Sequence, residues 1–197
     1  MRRGRPRTFN PDQALETAML LFWRHGYEGT SLAALTAAIG VNTPSLYAAF
    51  GSKDQLFHKV LTRYLQNPAS YLPNALKEPT ARRAVEKLFR GAIHMVAHAR
   101  HPDGCLLVQG ALAAGPAAAA VRRQLAETRR HAQLALQRRL ERAVTEGDLP
   151  AHARPVKLAR YLITVLWGMS VQAAGGATRA ELRDIAAMAL QALPPGR

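Results

Sequence analysis

Cysteine is nearly absent, with Cys105 the only one in 197 residues. One thiol can neither close an internal disulfide nor build a Cys-rich structural zinc site, and it fits a reducing compartment. Acidic residues are scarce too: 13 Asp and Glu stand against 27 Lys and Arg, for a formal net charge of +14. Such a balance points to a polyanionic partner and speaks of association rather than fold. Long apolar runs are missing. Hydrophobic residues make up 48% of the chain, but they are Ala and Leu spread through charged stretches, and no run approaches the ~18 apolar residues of a membrane span. The most apolar piece, "YLITVLWGMSVQAAGG" at 161–176, is too short and sits beside Arg160. The basic start "MRRGRPRTF" runs into "NPDQALE" instead of an apolar core, so no secretory leader is read. A cytoplasmic protein without membrane association is expected.

Enzyme signatures are lacking as well. There is no Gly-rich phosphate loop and no nucleophile elbow, and the acids lie scattered on charged helical stretches without forming an acid–base pair. No catalytic residue, cofactor or resident metal is expected. No repeat of 20–50 residues indicates a solenoid.

What is present is helix punctuation, with hardly a strand signal. Asn10-Pro11 caps and starts a first helix whose Leu15, Ala18, Met19 and Phe22 recur at helical spacing, and Gly26 and Gly29 end it. Thr30 or Ser31 caps a second, "LAALTAAI", which Gly40 stops. Thr43-Pro44 opens a third, "PSLYAAF", with Leu46 and Phe50 four apart and facing inward. Ser52 and Gln55 form a capping box before a fourth helix carrying Leu56, Val60, Leu61, Tyr64 and Leu65, which Asn67-Pro68 and Pro73 break. Further helices are expected near 80–100, 105–114, 116–146, 155–174 and 179–192, with a capping box at Thr178 and Glu181. The fold class is all-α: a basic arm over 1–9, a helix-turn-helix head over 10–53 and a helical body over 54–197.

The stretch "GYEGTSLAALTAAIGVNTPSLYAAFGSKDQLF" at 26–57 resembles the DNA-binding head of the TetR family of bacterial transcriptional regulators. The likeness rests on Gly26, Gly29-Thr30-Ser31, Leu35, Gly40-Val41, Ser45-Leu46-Tyr47, Phe50, Ser52-Lys53-Asp54 and Leu56. It departs from the usual pattern at Pro44, at Ala48 and Ala49, and at Ile39. The resemblance implies a transcriptional regulator, most simply a repressor, that binds double-stranded operator DNA of palindromic sequence and is released by a small-molecule effector.

Chemistry assigns each matching residue a task. Thr30 and Ser31 set hydroxyls and backbone N–H groups at a helix start, where a phosphate is favoured. Tyr47 and Lys53 hold phosphates on either side of the groove. Base edges and thymine methyls fall to Asn42, Thr43, Pro44, Ser45 and Ala48. With no Arg in that helix for guanine, an A·T-leaning site is expected. Arg3-Gly4-Arg5-Pro6 resembles the core of AT-hook minor-groove binders, and Arg3 and Arg5 either enter a narrow minor groove or attract phosphates diffusely. The arm matters to the balance of charge: residues 1–66 hold eight Lys and Arg against four Asp and Glu, and the rest nineteen against nine.

In the body, the resemblance implies a homodimer built on the last two helices. Leu158, Leu162, Val165 and Leu166 in one and Leu182, Ile185 and Ala189 in the other form apolar faces, to be shared between interface and internal core. It also implies a mainly apolar effector, with Phe89, Ile93, Met95, Cys105, Leu112, Tyr161, Trp167 and Met169 as candidate lining and Gln109 or His94 for polar contact; each has plain core as its alternative. Two further ideas concern 94–107. His94, His98, His101 and Cys105 form either a metal cluster or a solvated histidine pair beside a cysteine. Cys105, near a helix start among basic residues, is either a redox or electrophile sensor or an inert buried thiol. A non-specific architectural DNA binder is the remaining reading.

Overall fold

The computed structural model describes residues 10–96, 98, 100–112 and 118–195, and among them every regular element is a helix. Four helices form the head region, which here takes in α4 beyond the expected boundary at residue 53 because α4 packs along α1: α1 (Pro11–Gly29), α2 (Leu32–Ile39), α3 (Thr43–Phe50) and α4 (Lys53–Gln66). Each start has the polar cap its sequence offers. The Asn10 side chain accepts from the N–H groups of Asp12 and Gln13, Ser31 from Ala34, and Asn42 from Ser45, while Ser52 and Gln55 complete a reciprocal box. Apolar positions at helical spacing face inward, so Ala18, Met19, Phe22 and Trp23 of α1 meet Leu56, Phe57, Val60, Leu61 and Tyr64 of α4 in one core. Leu15 and Leu65, expected on these faces, are only partly buried.

The body comprises α5 (Tyr71–Ala75), α6 (Ala81–Val96), α7 (Leu106–Leu112), α8 (Ala119–Thr145), α9 (Pro155–Ala174) and α10 (Arg179–Leu190). α9 packs on α8, α10 on α6 and α9, and α7 on α1 and α8. The short α5 stands where the sequence suggested only a break. It docks on α6 over Gly91, where an added Cβ would lie 2.4 Å from Tyr71 Cβ, so this close approach requires glycine. α6 takes its start from afar: the N–H of Ala81 donates to Asp148 at 2.5 Å, and buried Arg139 donates to the Glu78 carbonyl at 2.9 Å. The turn between α8 and α9 thereby clasps the entrance to α6.

Head and body meet around two aromatic rings. Trp23 of α1 packs edge-on against Tyr64 of α4 at 4.9 Å and tilts against His101 at 5.1 Å. The Tyr64 hydroxyl lies 3.1 Å from Cys105 Sγ and donates to Met95 Sδ at 3.3 Å. Burying rings of this size stabilises the junction by roughly 1.5–3 kcal/mol per side chain.

Candidate nucleic-acid interface and effector cavity

α2 and α3 are bent by 91° about a short turn, within the ~90–120° of a helix-turn-helix. The turn is made by Gly40 at φ 77°, whose N–H and that of Val41 both donate to the Thr36 carbonyl, at 2.9 and 3.1 Å. Leu35, Leu46 and Phe50 are buried beneath it and hold α3 against the head core. The opposite face of α3 is open. Thr43, Pro44, Tyr47 and Ala48 are exposed and Ser45 is half-buried, so five of the expected DNA-contacting residues share one solvent-facing end of the helix. Asn42 is exposed too, but its Oδ1 is engaged in capping at 2.9 Å, which leaves its amide N–H groups for a base or phosphate.

Thr30 departs from expectation. It is 1% exposed, and its hydroxyl donates to the Gly26 carbonyl at 2.7 Å. The kink of α1 at Gly26 leaves that carbonyl without its helical partner, and Thr30 closes the gap. Its side chain is therefore not a phosphate ligand; exposed Ser31 alone carries the hydroxyl at the α2 start. Lys53, at the start of α4, sets its ammonium 4.3 Å over the Tyr27 ring, while the Tyr27 hydroxyl donates to Asp54. Partial burial pulls the Lys53 amine below its usual range, against the opposing pull of Asp54 and Glu28. Lys59 was not singled out in the sequence. Its ammonium reaches the Ala49 carbonyl at 3.4 Å and lies 5.4 Å from the Phe50 ring, bringing a cation to the C-terminal end of α3.

The head holds little net charge of its own. Residues 10–66 carry four Lys and Arg against four Asp and Glu. Arg63 is spent on Glu16 at 2.8 Å and Asp12 at 3.5 Å. The excess belongs to the four arginines of residues 1–9, and Arg3 and Arg5 lie outside the described residues.

The body carries a half-open cavity of about 290 Å³ between α4, α5, α7, α8 and α9, lined by Leu65, Ala69, Tyr71, Leu72, Cys105, Leu107, Thr128, His131, Ala132, Ala135, Leu166 and Trp167. Cys105 and Trp167 are where the sequence reading expected them. The other candidates are elsewhere. Phe89 and Ile93 line a separate groove between α6 and α10, and Met95 is a partner of Tyr64. Tyr161 is 45% exposed on the outer side of α9, and Met169 is packed in the core. Gln109 lies against Gly104, its Oε1 buried without a hydrogen-bond partner among the described residues. Leu112 ends α7, and its side chain lies outside the described residues. Polar contact on the wall falls to Thr128 and His131, which sequence spacing did not reveal because α8 reads as a charged helix throughout.

Cys105 is a buried free thiol. Burial pushes it above its usual range, against the opposing effects of the Tyr64 hydroxyl, the N–H groups of Leu107 and Val108, and Arg129. Of the two readings of Cys105, burial disfavours the reactive thiolate and fits the inert buried thiol. Of the two readings of the histidine cluster, the geometry does not assemble the metal one: His98 and His101 rings stack at 4.4 Å while Cys105 turns to Tyr64, and among the described residues no group of three or more His, Cys, Asp or Glu is placed to hold a metal ion. Within α9 and α10, Leu162, Leu166, Leu182 and Ala189 are buried in the chain's own core, so they are not available as an interface. Leu158, Val165 and Ile185 are half-buried, whereas Val171 at 52% and Met188 at 67% stand open to solvent. Among the described residues no single helix is long and apolar enough to cross a membrane.

The bent helix pair, its open third helix and the helical body behind it define the architecture of helix-turn-helix transcriptional regulators. Residues 14–60 match the family model for bacterial regulatory proteins of the tetR family, and residues 81–190 match the tetracyclin repressor-like C-terminal domain. The chain belongs to the TetR family. It is 34% identical over 194 residues to the HTH-type transcriptional repressor ComR of Escherichia coli strain K12, covering 98% of this chain and 92% of ComR. It is likewise 34% identical over 195 residues to the HTH-type transcriptional repressor BdcR of the same strain, covering 96% and 92%. A solved structure of the TetR family regulator CifR, in a cysteine-substituted form complexed with 26 bp of double-strand operator DNA, superposes with a TM-score of 0.92 at 42% identity, covering 97% of this chain and 100% of CifR.

Proposed function

We propose that this chain is a cytoplasmic repressor that grips a palindromic operator as a homodimer and lets it go when a small, mainly apolar molecule fills the cavity between α4, α5, α7, α8 and α9. The observation that carries the reading is the solvent-facing end of α3, where Thr43, Pro44, Ser45, Tyr47 and Ala48 stand together over a fully buried underside. These methyl, hydroxyl and ring groups suit thymine methyls and base edges, with Tyr47, Ser31 and Lys53 on phosphates. The relative bound to operator DNA, at 42% identity, supports the same docking.

Two-fold pairing would run through the open side of α9 and α10, where Tyr161, Val171 and Met188 are exposed and nothing lies within 4 Å of a Cβ built on Gly168. Pairing sets two α3 helices one DNA turn apart, about 34–36 Å, and a change in that spacing is what releases an operator. The cavity is chosen over the wider cleft of about 1410 Å³ between α4 and α6 because the cleft is rimmed by charge, including Glu16, Arg63, Arg83 and Glu86, whereas the cavity walls are mostly apolar. Cys105 acts here as a wall residue: operator release should persist in Cys105→Ser, and its loss would mark covalent sensing instead. The deciding experiment is selection of bound sites from random DNA. Recovered half-sites at one-turn spacing, preferred over random DNA by ~10³-fold or more, support the repressor; equal affinity for all sequences supports an architectural binder.

A further inference from the structure

A second groove, of about 400 Å³, runs between α6 and α10. Its floor is apolar: Phe89 and Ile93 of α6 are buried, and Leu190 of α10 packs beside them. Its rim is cationic, with Arg90 from α6 and Arg179 and Arg183 from α10. Glu86 is the carboxylate on that rim, and Arg82, one turn earlier on the same face of α6, pairs with it at 3.1 Å. Neither Arg90 nor Arg183 is in an ion pair among the described residues.

The charge is also polarised along the groove. Val96 at the end of α6 lines one small pocket together with Arg179 and Leu182, so α10 starts where α6 ends and the helices run antiparallel. Arg179 and Arg183 therefore flank the end near His94, Arg90 stands about one turn farther along α6 beside Phe89, and Leu190 lies toward Glu86 at the opposite end. From Arg183 to Leu190 the trough extends about 10 Å at ~1.5 Å per residue. Ile185 and Met188 lie on the other flank of α10, so pairing of two chains there would leave the groove open.

We infer that this groove binds an amphipathic monoanion, a carboxylate on a medium-length alkyl chain, with the headgroup between Arg90, Arg179 and Arg183 and the chain over Phe89, Ile93 and Leu190. Guanidinium groups match a carboxylate as paired donors, and an alkyl tail can pack against the apolar floor, of which Leu190 is the part still reached by water. The site is distinct from the effector cavity, shares no lining residue with it, and does not depend on the identity of the effector.

Calorimetric titration of the full-length protein with decanoate tests the assignment, with decanol and decyltrimethylammonium as matched tails bearing the wrong head. Decanoate is expected to bind one site per chain, and the two controls about tenfold more weakly or worse. Arg90→Gln with Arg183→Gln should weaken decanoate by about tenfold or more while melting temperature and operator affinity stay unchanged. Ala187→Glu, which adds a carboxylate at an exposed lining position, should weaken it comparably. No decanoate binding, equal binding of decanol, or an unchanged decanoate affinity in the double variant would each overturn the proposal.

Discussion

Thr30 and Ser31 are adjacent hydroxyl residues that face opposite ways. Sequence alone left open which one caps α2, because the same side chain serves a helix end on either side of a turn. The Gly26 kink decides it: a buried carbonyl there needs a donor, and Thr30 supplies one at 2.7 Å. Thr30→Val should therefore lower stability to urea by about 1–3 kcal/mol, since a buried acceptor is left unpaired, while operator affinity of the folded protein holds. Tyr47 should behave inversely. It is 42% exposed, and its hydroxyl makes no hydrogen bond among the described residues. Tyr47→Phe should leave the melting temperature in place and weaken operator binding about tenfold in a fluorescence anisotropy titration, the loss of one hydrogen bond to a charged oxygen.

At the scale of elements, α9 spans Pro155–Ala174, the bounds that proline, glycine and periodicity suggested, and α2 and α4 also begin at their expected caps. These signals are local, so one chain segment carries them. α5 escaped because Pro73 reads as a breaker, although within the first turn of a helix its missing N–H has no helical acceptor to lose. The start of α6 depends on Asp148, 67 residues away, a distance no local pattern spans. The apolar faces of α9 and α10 were legible as faces, but periodicity cannot say what covers them, and Leu162 and Leu182 proved internal while Met188 stayed open. The candidate site divides likewise: the α3 surface follows from one short helix, whereas the cavity needs five helices brought together. Gly40 tests the turn by itself. Nothing lies within 4 Å of a Cβ placed there, so Gly40→Ala should cost only the strain of a left-handed residue, about 1–2 kcal/mol of head stability in urea unfolding.

For the whole molecule, the partition of charge is decisive. A head whose residues 10–66 balance four against four cannot attract DNA by net charge, so within residues 1–66 the cationic excess comes from the arginines of residues 1–9, while the body's nineteen against nine adds to the field at long range. Deleting residues 2–7 should flatten the dependence of log affinity on log salt by roughly 3–4 per arm engaged, as measured by titration across salt concentrations. If the arm enters the minor groove, Arg3→Ala with Arg5→Ala also erases a preference for flanking A·T pairs; uniform loss across flanks marks diffuse attraction instead. The two tryptophans of the chain report on different places without any label. Trp167 looks into the cavity, while Trp23 is sealed between head and body with its indole nitrogen unpartnered among the described residues. In a Trp167→Phe background the emission colour of the remaining indole becomes an optical gauge of that seam, blue while it is shut and redder once water reaches it.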